Sequence, residues 1–339
     1  MNLHIKWAAL STVGNQNLVN PNGEYMRTTT ITDGSILGGY AVQEGDNHVL
    51  RTAQSTDGGV TWTQLGIVDS GPSATRELDN AFPFQLPSGR LLFAFRNHDR
   101  ISKDVFTYYR ITLCYSDNGG NTWNYLTQID ERAADPNNLN GFWEPYLRLS
   151  SNGTLQVFYS SENSAADQDN LMKISIDDGN TWSGEMPVSG QGITARDGMT
   201  GGTNIDDNGN LIGIYETTED GPFSVNYVLS QDDGFTWNTR TRLYTAANGA
   251  DAGAPQIINV GGTIVADFMT NEDGGQSTTV DSGEMKVITS TGEGQTWSMP
   301  TITGNLGSHW PGMYVIDSSH FLALYSLDNV GLITQEYQL

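Results

Sequence analysis

Five octets of one pattern recur along the chain, and no other feature limits its fold so strongly. The first is Ser55-Thr56-Asp57-Gly58-Gly59-Val60-Thr61-Trp62, and the others occupy 116–123, 175–182, 230–237 and 290–297. Their first residues lie 61, 59, 55 and 60 positions apart, so one supersecondary unit is repeated. Asp or Asn at the third position accepts hydrogen bonds from nearby backbone N–H groups and folds the chain back. Glycine supplies the positive φ of a tight turn, Thr opens the next strand, and Trp buries a large ring beneath it. Asn118 and Gly292 replace Asp in two copies. These turns carry information about fold and none about catalysis.

A second unit recurs between the octets: a short strand, a glycine-containing turn, and an apolar strand ending near an aromatic. Copies occupy 28–42, 83–97, 145–161, 203–217, 255–271 and 311–327. Alternating apolar residues in six such hairpins, each needing neighbours, predict four-stranded blades. Spread over six units, 339 residues give about 57 each, which matches the octet period. The expected fold is an all-β, six-bladed β-propeller forming one catalytic domain over 1–339. The last hairpin lacks an octet, so the segment around Gly331–Leu339 and the extreme N-terminus should complete blades across the ring closure.

Topology then nominates a site. With strands lettered A to D from the axis outward, the octet is the C–D turn and shares its face with the A–B turn. The starts of A strands and the ends of B strands ring a pocket on the other face. Candidates at A-strand starts are Arg27, Asp79, Trp143, Glu144, Arg196, Asp197, His309 and Trp310, with Arg96 and Glu216 at B-strand ends. Glu144 occupies the slot assigned to Phe82, Ala254 and Trp310 elsewhere. Glu216 follows Tyr215 in the slot of Ala41, Arg96, Ser160, Met269 and Ser326. Each is a lone carboxylate that the repeat does not require. Two carboxylates across a pocket suit glycoside cleavage, one as acid and the other as nucleophile or base. Ordinary surface or ion-paired roles remain the alternative for both. Arg27, Asp79, Arg96, Arg196 and Asp197 are expected to bind hydroxyls or orient the carboxylates. Trp143 and Trp310 could stack on a sugar, and His309 could bond to one.

The balance of 16 basic against 39 acidic residues, a net charge of −23, disfavours nucleic acid and anionic membranes as partners. No stretch approaches the roughly 20 apolar residues of a membrane helix. Cys114 is the lone cysteine, so no zinc site on Cys pairs and no intrachain disulfide are expected. Acidic turns such as 206–209 lack the ligand spacing of calcium loops and read as hairpin turns, and no metal or organic cofactor is expected.

The octets resemble the Asp-box repeats of sialidases and other glycan-processing propellers. Within that group the chain resembles the exo-α-1,5-L-arabinanases of glycoside hydrolase family 93 over nearly its whole length. The residues that carry this are YMRTTT (25–30), RELDNAFPFQLPSGRLLFAFRNHDR (76–100), GFWEPYL (141–147), ARDGMTGG (195–202) and IYET (214–217). The resemblance implies a six-bladed, configuration-retaining enzyme that releases arabinobiose from the non-reducing end of linear arabinan. It implies Glu144 as nucleophile and Glu216 as acid/base, with arabinan or arabino-oligosaccharides as partners. A secreted monomer is expected, secretion being inferred from the polymeric substrate. Two other readings stay open. A sialidase would need three Arg residues clamping a carboxylate; Arg27 and Arg196 could be two, but no Arg follows Arg242. A non-catalytic glycan-binding propeller would need aromatic platforms and no carboxylate pair.

Overall fold

The computed structural model describes residues 10–274, 280 and 283–339. Six four-stranded antiparallel sheets form the blades of a β-propeller. The inner A strands are Gly23–Thr30, Arg76–Gln85, Phe142–Leu149, Gly198–Asn204, Ala252–Val260 and Ser308–Val315. The B strands are Ile36–Glu44, Leu91–Ser102, Leu155–Ser164, Leu211–Thr217, Thr263–Thr270 and His320–Leu327. In blade 6 the C strand is Gly331–Gln338 and the D strand is Ser11–Asn20, so the two ends of the chain share one sheet. This is the expected ring closure, and it explains the missing sixth octet: blade 6 has no C–D turn.

The octets form the turns that their residues dictate. In the first, Asp57 accepts the Thr61 N–H at 2.8 Å and its hydroxyl at 2.6 Å, while Ser55 Oγ accepts the Gly59 N–H at 2.8 Å. The Trp62 indole N–H donates to the Gly59 carbonyl at 3.1 Å. The fourth position takes a left-handed conformation whether it is Gly58 or Gly119 or a side-chain residue, Asp178, Asp233 or Glu293. The turns also join blades. Thr334 of blade 6 donates to the Gly59 carbonyl at 2.9 Å, and Thr52 of blade 1 donates to the Gly120 carbonyl at 3.0 Å. Arg90 in an A–B turn pairs with octet residue Asp117 at 2.8 Å, placing both turn types on one face. The apolar core lies between sheets, where Tyr40, Phe93, Tyr159, Tyr215, Phe268 and Tyr325 are fully buried.

A second sixfold feature lies toward the other end of the A strands. In every blade three steps along A oppose two along B: Glu24 to Arg27, Asp79 to Phe82, Trp143 to Tyr146, Gly198 to Gly201, Gly253 to Gln256 and His309 to Gly312. These are β-bulges, which bend a strand and re-aim its side chains. The residue after the first of each pair has positive φ: Tyr25 54°, Asn80 53°, Glu144 45°, Met199 54°, Ala254 50° and Trp310 58°. A side-chain residue held there costs about 1–2 kcal/mol. No glycine relieves that cost in any blade, so the surrounding sheets hold the conformation.

Candidate active site

The bulges define three aligned rings. The left-handed ring is Tyr25, Asn80, Glu144, Met199, Ala254 and Trp310. The preceding ring, at the mouth, is Glu24, Asp79, Trp143, Gly198, Gly253 and His309, paired to the B-strand slots Ala41, Arg96, Ser160, Glu216, Met269 and Ser326. Two residues deeper lie Arg27, Phe82, Tyr146, Gly201, Gln256 and Gly312. The register corrects one alignment drawn from sequence: Asn80, not Phe82, is the counterpart of Glu144, and Phe82 belongs to the deeper ring.

A small axial pocket is lined by Tyr25, Arg27, Phe82, Glu144, Pro145, Tyr146, Met199, Thr200 and Gln256. Its floor is aromatic on one side, where Phe82 and Tyr146 meet edge to face at 5.0 Å and the Tyr146 hydroxyl donates to the Gly202 carbonyl at 2.6 Å. Tyr146 also lines a larger cavity of about 740 Å³ that includes the A–B turn residues Asp206, Asp207, Gly261 and Gly262. That cavity opens on the octet face and contains neither Glu144 nor Glu216.

Glu144 and Glu216 come from adjacent blades and act on each other electrostatically. The Glu144 carboxyl is pushed up to about 8, first by burial and then by the negative charge of Glu216, against a lowering pull from Arg96. Glu216 meets a different environment. Its Oε2 accepts the backbone N–H of Ala254 at 2.7 Å. Gly253 makes room for it, since a Cβ there would stand 2.5 Å from Oε2. The same latch operates one blade earlier, where Ser160 Oγ accepts the Met199 N–H at 3.1 Å.

Arg96 sits beside the pair. It bonds to Glu77 at 2.8 Å and Asp79 at 3.1 Å, and its guanidinium lies 4.7 Å from the Trp143 ring centre. This packing changes the reading of Trp143. One face of the indole is covered by Arg96, and its edges meet His98, Phe106 and Tyr109. Buried His98, its pKa well below the usual value through burial, completes that wedge. Trp143 therefore packs blade 3 against blade 2 through that face while staying half-buried. Trp310 is also half-buried; it lies in the left-handed ring, 6.1 Å from Tyr25, with His309 beside it at the mouth.

One further expectation fails on geometry. Asp197 is fully buried and both its oxygens bond to Arg240, so it has no edge left for a sugar. Arg196 is held by Glu162 and Gln168, each at 2.8 Å. Arg27 does line the pocket. It is buried, lies 4.1 Å over the Tyr25 ring, donates to the Met26 carbonyl at 3.0 Å, and has an Nη2 without a protein hydrogen-bond partner. Asp79 remains at the mouth, partly exposed beside Arg96. Sequence reasoning missed Tyr25, Ser160 and Gln256. Alignment on the bulge would have found them, but a bulge held by non-glycine residues leaves no compositional mark. Among the described residues, no group of three or more His, Cys, Asp or Glu could hold a metal ion.

No family model matches the chain, and no curated protein does. Solved structures do. The chain is similar to the GH93 α-L-arabinofuranosidase of Fusarium graminearum in complex with arabinobiose, at 20% identity and TM-score 0.72, covering 94% of this chain and 93% of that one. It is similar to the Penicillium chrysogenum α-L-arabinanase complexed with arabinobiose, at 19% identity and TM-score 0.72, with 94% of each chain covered. A protein of unknown function from Dyadobacter fermentans matches at 13% identity and TM-score 0.75, over 98% of this chain and all of that one. At these identities the likeness establishes the fold.

Proposed function

We propose that this chain is a retaining glycoside hydrolase of the family 93 type, an exo-α-1,5-L-arabinanase that releases arabinobiose from linear arabinan. One observation carries the reading: two carboxyl groups from adjacent blades lie close enough to act on each other, and burial with the charge of Glu216 raises Glu144, so the pair holds one proton and one charge. Such a pair supplies an acid and a nucleophile at one pH. The structural likeness to two proteins crystallised with arabinobiose supports the choice of sugar.

The roles follow what the sequence resemblance implies. Glu144 attacks C1 of the second arabinose while Glu216 donates the proton of the pair to the departing oxygen. The C1–O bond breaks as the bond to Glu144 forms. Glu216 then takes a proton from water, which attacks C1 and frees Glu144. A separation of about 5–5.5 Å between the carboxyl groups is what retention requires. Asp79, Arg96 and His309 at the mouth, with Arg27, Gln256 and Trp310 within, are the residues we assign to sugar hydroxyls and ring faces. A polymeric substrate places the enzyme outside the cell.

Incubation with linear 1,5-arabinan tests this, with product anomers followed by NMR. Arabinobiose as first product, with the anomeric configuration kept, supports the proposal. Release of sialic acid from a sialyl substrate, or turnover of neither, overturns it. The sialidase reading is weakened by the lack of any Arg after Arg242 for the third clamp position, and by the pairing of Arg196 with Glu162 at 2.8 Å.

A further inference from the structure

Glu216 lies on the B strand of blade 4 between two residues that meet one guanidinium. Arg240, on the D strand Asn238–Tyr244, donates from Nη2 to Thr217 Oγ1 at 3.0 Å, and its guanidinium carbon lies 5.2 Å from the Tyr215 ring centre. The same group bonds both oxygens of buried Asp197, with Nη2 to Oδ1 at 2.9 Å, and its Nε donates to Glu219 at 2.7 Å. Asp197 directly precedes Gly198, the A-strand residue in register with Glu216. A Cβ on Gly198 would stand 3.4 Å from Glu216 Oε1, so the carboxyl lies beside that glycine. Blade 3 fixes Asp197 as well: its N–H donates to the Gln168 carbonyl and Gln168 Nε2 donates to its carbonyl, each at 2.9 Å. Arg240 thus holds the residues before and after Glu216 and the strand beside it, and it is not among the residues lining the axial pocket.

The sheets do not need a charge at the position of Asp197. Its counterparts in the other blades are Gly23, Leu78, Phe142, Ala252 and Ser308, all buried and none charged. A buried ion pair is weak evidence for stability, because the cost of desolvating two charges offsets their attraction. What it supplies is direction: Arg presents its donors in a rigid planar fork, so the groups it bonds are held at one spacing. Blade 4 alone has this pair, and blade 4 alone has a carboxylate in the B-strand slot. We propose that Arg240 and Asp197 are positioning residues for Glu216, their ion pair clamping the strand ends on either side of it so that its carboxyl meets the departing oxygen of the substrate. The inference rests on Glu216 being the acid/base of the proposed reaction, and one arm of its test needs no turnover.

The test compares linear arabinan with 2,4-dinitrophenyl α-L-arabinobioside, whose leaving group departs without a proton. A misplaced acid slows the first and spares the second; a misplaced nucleophile or a loosened blade slows both. Arg240→Lys keeps the charge and loses the fork, and it should lower kcat/KM on arabinan by about 10²-fold while changing that of the aryl glycoside less than about threefold. Thr217→Val keeps the ion pair and removes the anchor beside Glu216; it covers the case in which Arg240→Lys does not fold, with the same pattern at about tenfold. In substrate-free protein the Ala254 amide proton reports the place of Glu216, whose Oε2 accepts it at 2.7 Å. By NMR it should move upfield in both variants, toward its position in Glu216→Gln. Equal losses on the two substrates, an unchanged rate on arabinan, or an unmoved Ala254 amide overturns the proposal. If the parent cleaves neither substrate and the amide still moves, the clamp on Glu216 stands and only the enzymatic reading falls.

Discussion

The propeller's two ends are equally regular in backbone and opposite in sequence. At the octet face, Ser, Gly and Trp recur in every copy, and in four of the five an Asp or Asn holds the Thr. At the bulges, six blades share one register shift and one left-handed residue, yet those residues are Tyr, Asn, Glu, Met, Ala and Trp. The octet repeats side chains because its side chains make the turn. The bulge is made by the pairing of whole strands, so its side chains are released from that task and can differ blade by blade. A pocket ringed by six differently chosen side chains on one backbone frame is suited to recognise an asymmetric molecule.

The largest effect should come from the two bulge-face carboxyls. Glu144→Gln and Glu216→Gln should each lower arabinan hydrolysis by about 10²–10⁴-fold, with thermal stability near that of the parent or above it. The sign of the pH effect follows from the raised carboxyl. Below its ordinary value of 4.5, Glu144 is protonated in both folded and unfolded chains, and its contribution to stability is fully present. As pH rises toward about 8 the unfolded chain has released that proton while the folded one retains it, so this contribution is progressively lost. Glu144→Gln should therefore gain on the parent in melting temperature as pH rises from 5 to 8. A constant difference across that range would show that Glu144 is not held protonated.

Gly253→Ala gives a subtler test of the same face. Its φ lies outside the left-handed region, so alanine adds no backbone strain, but the new Cβ would press within 2.5 Å of Glu216 Oε2. Misplacing a reacting group by a fraction of an ångström to an ångström should lower kcat by up to about 10²-fold. Folding should be only slightly affected. Unchanged kcat would mean that the Ala254 N–H does not set the position of Glu216.

How far each face was legible follows from the same contrast. The blade count, the ring closure and the face of the pocket were readable because Asp57, Gly59, Thr61 and Trp62 recur together. Glu144 and Glu216 were readable as departures from a hairpin pattern. The bulge was not, because a register shift carries no residue signature when Ala254 and Trp310 can both occupy it. Errors followed there: Phe82 was aligned two residues out, and Asp197, adjacent in sequence to the ring, proved to be Arg240's buried partner. Trp143 was open between a sugar platform and packing, since only the fold brings Arg96 and His98 onto its ring. Roles were least legible of all. The raised carboxyl of Glu144 depends on burial and on the charge of Glu216 in the next blade, which no local pattern in the sequence connects.

The smallest effects should come from the octets, and there the parent chain contains its own variant. Asp177 holds Thr181 through N–H and hydroxyl bonds of 2.8 and 2.6 Å; the fifth octet has Gly292 in that place, and its Thr296 lacks both. Asp177→Ala should lower the denaturant midpoint, in the manner of a lost cap. Gly292→Asp should do the reverse. Gly292 lies outside the left-handed region, and a Cβ there would stand 3.6 Å from Thr296 Oγ1, an ordinary contact that aims the new carboxyl at its target. The added bonds and the lower freedom of the unfolded chain should together stabilise the fold by about 0.5–1.5 kcal/mol, read as a higher denaturant midpoint. Neither change should alter kcat or KM. Octet substitutions that shifted catalysis as much as stability would mean that the two faces are coupled through the blades, and the separation of fold-making from site-making residues would fail.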